Sequence, residues 1–209
     1  VAGYVDVTAT PTFPFEHVEP SRDGDERSNN AVLSFVVGDP DDGCQPSWGG
    51  HYSLAEAANE LDLDRRIVRL RDLGGEAMIS FGGLANSDIA LGCDEVDRVV
   101  SAYDEVIDRY EVHTIDLDIE GELLQSPAAI TRQAKAVAKL QEKRPSAEPL
   151  GVWLTLPVTP TGLDRNGVEV VRTYLQAGVE LEGVNAMTMD YNAAPELSMR
   201  QRCSPWSSR

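Results

Sequence analysis

The sequence is short of lysine, cysteine, histidine and aromatic residues, and each shortage narrows what the chain can do. Lysine occurs only at positions 135, 139 and 143, and the 209 residues carry 35 acidic against 18 basic side chains, a formal charge of −17. A surface this negative repels a phosphate backbone, so the expected partner is a neutral or cationic ligand and not nucleic acid. Cys44, Cys93 and Cys203 are too few for a disulfide framework and lack zinc-ligand spacing; they allow one bridge at most. His17, His51 and His113 form no triad or metal pattern, and nothing in the sequence implies a metal or a cofactor. No apolar run approaches the roughly 20 residues of a membrane-spanning helix, so no membrane partner is expected. The opening residues, from Val1, show no basic and apolar leader, and any export signal is expected to be absent from this stretch. The length fits one domain, or one large domain present in part.

What is present is a recurrence of apolar runs separated by polar, helix-patterned stretches. The runs are 1–8, 31–37, 76–81, 114–119, 150–158 and 183–189, near-continuously apolar as strands covered on both faces are. Val96, Val99, Val100, Tyr103, Val106, Ile107 and Tyr110 recur at three- and four-residue intervals and predict a helix. Ser126-Pro127 offers an N-cap and a first-turn proline for a second helix carrying Ile130, Ala134, Val137 and Leu140. Ile67, Leu70 and Leu73 lead to a stop at Gly74-Gly75, and 15–30 shows no clear helix. Strand then helix, repeated, predicts an α/β fold, either a (β/α)8 TIM barrel or an open doubly wound sheet. The six units use about 36 residues each, close to the roughly 31 of a typical barrel. Two further units would need about 70 residues at that rate, whereas 18 follow Tyr191. A barrel would therefore have about six of its eight units here.

The fourth run reads Thr114-Ile115-Asp116-Leu117-Asp118-Ile119-Glu120-Gly121. Strand alternation puts Asp116, Asp118 and Glu120 on one face, about 6.5 Å apart in succession, with the isoleucines and leucine on the other. In a barrel the first face is the interior, and Glu120 stands at the C-terminal end, where active sites of such barrels lie. Like charges this close cannot all ionise in a dry interior, so one proton is expected to stay near neutral pH. Glu120, the outermost, is the natural donor, with Asp118 expected to raise its pKa. The third run ends Ser80-Phe81-Gly82-Gly83, where two glycines let a backbone or a ligand approach closely. The sixth ends in the polar stretch Met189-Asp190-Tyr191-Asn192.

Together these segments resemble the glycoside hydrolase family 18 chitinases, in particular the actinobacterial-type catalytic domain. The family signature D-x-x-D-x-D-x-E is matched in its last five positions by 116–120, and S-x-G-G by 80–83. His113 and Thr114 replace the first Asp and Gly of the signature. Tyr4, the segment 44–50, Thr155-Leu156-Pro157 and 187–191 stand in family order, so the likeness runs from Val1 to about Asn192. Trp206 is not equated with the family's tryptophan on strand eight.

The resemblance implies an incomplete barrel over 1–192 with a short tail over 193–209. It implies a secreted, extracellular, monomeric endo-chitinase acting on chitin or chito-oligosaccharides by a retaining mechanism in which the substrate supplies the nucleophile. Glu120 would be the acid and then the base. Asp118 would orient the acetamido nitrogen, Asp116 would share its proton, and Tyr191 would hold the acetamido oxygen. Tyr4 and Ser80 would support the inner carboxylates, and Gly82, Gly83, Met189, Asp190 and Asn192 would line the substrate. A Cys44–Cys93 bridge is also implied, which would fit a secreted protein. Competing readings are a non-catalytic chitin-binding lectin or inactive truncated fragment, an endo-β-N-acetylglucosaminidase, and a sugar-nucleotide transferase using Asp116-Leu117-Asp118 on a metal.

Overall fold

A computed structural model describes residues 2–17 and 30–189. From the N-terminus, β1 (Gly3–Asp6) and β2 (Ala31–Gly38) precede a short hairpin, β3 (Pro46–Trp48) and β4 (Tyr52–Ser53), and two helices, α1 (Leu54–Glu60) and α2 (Leu63–Asp72). β5 (Ala77–Gly82) leads to α3 (Ile89–Gly92) and α4 (Val96–Tyr110), then β6 (Thr114–Asp118) to α5 (Gly121–Leu124) and α6 (Pro127–Lys143). β7 (Gly151–Thr159), β8 (Gly162–Leu163), α7 (Arg165–Gln176) and β9 (Gly183–Met187) complete the described elements. All six apolar runs become parallel strands, ordered β1-β2-β5-β6-β7-β9. The expected domain boundary near Asn192 lies outside the described residues.

The helices form where the periodicity places them, and their apolar stripes cover the outer face of the sheet. Val99, Val100, Tyr103, Val106, Ile107 and Tyr110 of α4 are buried, as are Ile130, Ala134, Val137 and Leu140 of α6 behind its first-turn Pro127. Against them stand Ile79, Ile115, Leu117, Val152, Leu154 and Leu156, each fully buried. Burial of such side chains contributes roughly 1.5–3 kcal/mol apiece, which makes this sheet–helix layer the main source of stability. On α2 the stripe ends at Leu70; Leu73 is the exposed C-cap, and Gly74 follows with φ +76°. The β3–β4 hairpin, α1, α5, α7 and the single turn over Phe15–His17 are not marked by the longer periodicities.

The sheet curls but does not close among the described residues. Asn185 on the last strand lies 3.3 Å from the Tyr4 hydroxyl on the first, so the two edges approach across the concave side. Among the described residues β9 is an edge strand: Val184, with Val168 and Leu175 of α7, is exposed and borders an apolar groove. At the rim, Cys44 and Cys93 are joined, tying the loop after β2 to the end of α3 across a separation of 49 residues. Closing a loop of that length restricts the unfolded chain, so replacing both cysteines by serine should lower stability by about 2–5 kcal/mol in urea titration. Reductant should shift the unfolding midpoint of the unmutated protein toward that of the double variant and leave the variant's unchanged.

Candidate active site

Alternation along β6 sends Ile115 and Leu117 into the helical layer and brings Asp116 and Asp118 to the concave face, where they are 1% and 5% exposed. Glu120 follows in extended backbone (φ −144°, ψ −174°) as the N-cap of α5, so the two-residue alternation outlasts the strand. Glu120 and Asp118 share a pocket of about 250 Å³ with Gly83, Asp88 and Glu122. A broader cleft beside Gly151 and Glu182 lies at the other end of the strands.

Asp116 is held by hydroxyl groups from three other strands. Tyr4 Oη and Ser80 Oγ donate to its Oδ2 at 2.9 and 2.6 Å, and Thr155 Oγ1 donates to its Oδ1 at 2.6 Å. The Tyr4 and Thr155 oxygens are also 2.7 Å apart, and Asn185 Nδ2 donates to both at 3.3 and 3.2 Å. With all three hydroxyl hydrogens pointing at Asp116, the Tyr4–Thr155 contact is left without one; a proton on Asp116 would supply it. Burial pushes the Asp116 carboxyl in that same direction, above the usual carboxylate range, against the pull of the three hydroxyls.

Asp118 is treated differently. Its Oδ1 is buried and has no hydrogen-bond partner among the described residues. Burial first, then the charges of Glu120 and Asp116, push its pKa up to about 8. Glu120 is also raised, by burial. The sequence placed the retained proton by expecting Asp118 to lift Glu120. In the structure the strongest displacement falls on Asp118 itself, because it is the more deeply buried carboxyl and has a like charge on either side. Once protonated, Asp118 presents little charge to Glu120.

The glycines after β5 stand where the packing is close, Gly82 against backbone and Gly83 against a ring. Gly82 pairs in register with Asp118, and a Cβ there would lie 2.3 Å from the Asp118 carbonyl oxygen; Gly83 N donates to the same oxygen at 3.0 Å. A Cβ on Gly83 would meet the Phe35 ring at 3.1 Å. Both adopt positive φ, +98° and +86°. Of the two alternatives left open by the sequence, what approaches Gly82 is a backbone.

Tyr4, Ser80, Asp116 and Asp118 thus come together around one point, with Glu120 beside them. Met189 is exposed, and Asp190, Tyr191 and Asn192 lie outside the described residues. Sequence reasoning gave no role to Thr155 or Asn185. Their signal was a polar residue inside an apolar run, level with Asp118 across β7 and β9. Because Asp118 binds its proton more tightly folded than unfolded, it lowers stability progressively as pH rises from about 4 to about 8. Asp118→Asn should therefore raise the thermal midpoint near pH 8 and leave it unchanged near pH 4, measured by calorimetry across that range.

No family model matches the chain. Over 167 residues, 79% of its length, it is 38% identical to a probable bifunctional chitinase/lysozyme of Escherichia coli K12 and 36% identical to Endochitinase 11 of Metarhizium anisopliae. It spans 18% and 31% of those two proteins. Among solved structures, the catalytic domain of a hyperthermophilic chitinase from Pyrococcus furiosus superimposes with a TM-score of 0.72 at 25% identity, covering 91% of this chain and 57% of that one. A GH18 chitinase from Pseudoalteromonas aurantia has the same fold, with a TM-score of 0.62 at 16% identity over 89% of this chain and 67% of that one.

Proposed function

We propose that this chain, a homologue of chitinases built on the fold of glycoside hydrolase family 18 catalytic domains, cleaves β-1,4-linked N-acetylglucosamine polymers internally by a retaining, substrate-assisted route. The observation that carries the proposal is Asp118, a buried carboxyl with an open Oδ1 between two further carboxyls. A hydrolase with two enzymic carboxylates uses one as acid and one as nucleophile or base. Here the second stands at the end of β6, two residues before the first, suited to receive a polar hydrogen from the ligand.

In the proposed reaction Glu120 gives its proton to the glycosidic oxygen as the bond from that oxygen to the anomeric carbon breaks. The acetamido carbonyl oxygen of the same sugar forms the new bond to the anomeric carbon, and the ring that results carries one positive charge. The acetamido N–H meets Asp118 Oδ1, filling the bond that oxygen lacks, and an ionised Asp118 balances the charge. The proton leaving Asp118 passes to Asp116, which three hydroxyls hold in place. Glu120, now a carboxylate, takes a proton from the water whose oxygen bonds to the anomeric carbon as the acetamido oxygen leaves it; the proton on Asp116 returns to Asp118, and the starting protonation is restored with retained configuration. Tyr191 is assigned the acetamido oxygen, and Met189, Asp190 and Asn192 the sugar beside it.

We assign the protein to the outside of the cell. The Cys44–Cys93 bridge suits an oxidising compartment, and the polymer is too large to be taken up intact.

The test is turnover of a fluorogenic chitotrioside. Replacing Glu120 by Gln keeps the shape and removes the donor, and should lower kcat by about 10²–10⁴, the contribution of general acid–base assistance. Equal rates for the two proteins would exclude the proposed chemistry.

A further inference from the structure

In one wall of the Glu120 pocket lies a buried carboxyl that the reaction above does not use. Asp88 is 3% exposed and is the N-cap of α3. Its Oδ1 accepts from Ala90 N at 2.6 Å and its Oδ2 from Gln133 Nε2 at 3.1 Å. Gln133, fully buried on α6, also donates to Tyr103 Oη of α4 at 2.8 Å and accepts from Tyr174 Oη of α7 at 2.5 Å. Asp88 therefore faces an amide, two phenols and a backbone N–H. Arg132, next to Gln133, is committed to Ala90 O and Asp94.

A carboxylate buried without a cation costs stability, and burial accordingly pushes Asp88 up to about 6. An asparagine of the same shape could cap α3 with no charge to bury. Groups retained at a cost to stability cluster at functional sites, and the location of Asp88 fits that pattern. It lines the pocket that holds Asp118 and Glu120. Its Oδ2 lies 3.3 Å from where a Cβ on Gly82 would stand, directly behind the residue that packs on Asp118. The wall it anchors is also fastened to the end of β2 and to the β3–β4 turn, through Gly38 N to Ser87 O and Asn86 Nδ2 to Gly49 O.

We propose that Asp88, as a carboxylate, is a positioning residue that holds the 83–88 wall of the pocket against the helical layer in the shape that receives the sugar beside Glu120. The proposal rests on the hydrolase reading above. An ionised Asp88 accepts hydrogen bonds at both oxygens. A protonated one must donate from one of them, and Gln133 then loses the bond or turns over and disturbs its bonds to Tyr103 and Tyr174. Protonation thus uncouples the wall from α6. It does not unfold the protein: the raised pKa means that folding favours the protonated form, so this group lowers stability as pH rises from about 4 to about 6 and not as it falls.

The test compares the unmutated protein with Asp88→Asn, the neutral mimic, on chitotrioside between about pH 5 and pH 7. In the unmutated protein KM should rise toward acid with a midpoint near pH 6. The variant should show KM raised about 5–10-fold at neutral pH and flat across the range, with kcat within about twofold and an equal or higher thermal midpoint. Superimposable KM profiles, or parallel loss of kcat and thermal midpoint, would overturn the positioning role. Amide exchange supplies a readout independent of turnover. Protection at Ala90 should fall through about pH 6 in the unmutated protein and stay constant in the variant. An inactive unmutated protein defeats the hydrolase reading, whereas a flat protection profile at Ala90 in that protein defeats this one.

Discussion

Carrying acidic side chains into the dry end of one strand, with hydroxyls and protons in place of cations, is the constraint that the rest of the site answers. Asp116 receives three hydroxyl groups, brought by β1, β5 and β7. Asp118 receives none and is left with a proton and an open oxygen. Glu120, one step beyond the strand, keeps partial contact with solvent. Three carboxyls of similar intrinsic acidity are thereby given three different states by burial, hydrogen-bond partners and neighbouring charge together, which is how one short segment can support several proton-handling roles.

That arrangement depends on a sheet that brings distant chain segments to one place. Tyr4 and Asn185 are separated by 181 positions and meet over Asp116 because the parallel strands curl. Parallel order demands a crossover between neighbouring strands, and the crossover helices supply the apolar cover that lets Ile115 and Leu117 pull their polar neighbours inward. Polar pairs on the outside complete the picture: Arg144 reaches Asp104 and Asp108, and Arg109 reaches Asp64, so much of the limited cationic complement is spent between helices. The concave side remains acidic.

The same helical layer reaches the site by a second path. Gln133 joins α3, α4, α6 and α7 through one amide, and one of its partners, Asp88, stands against Gly82. A buried hydrogen-bond network of this kind favours one arrangement of its members. Here it links packing at the back of the sheet to the wall in front of the carboxyls.

Periodicity in the chain alone was sufficient for the six parallel strands, α4, α6 and the shared face of Asp116, Asp118 and Glu120, because those features are set by two- and 3.6-residue repeats that need no partner to be read. The short elements after β2, β5 and β6, the β3–β4 hairpin, α3 and α5, carry too few residues to display a period. Which carboxyl keeps the proton, and that Thr155 and Asn185 complete the cluster, could be decided only by the folded chain. Both depend on burial depth and on distances between segments far apart in sequence. The same holds for the glycines: the residue type announced a close approach, and only the packed sheet determined that Gly82 meets the carbonyl of Asp118. Local repeats are properties of the chain, whereas solvation and proximity are properties of the space it encloses.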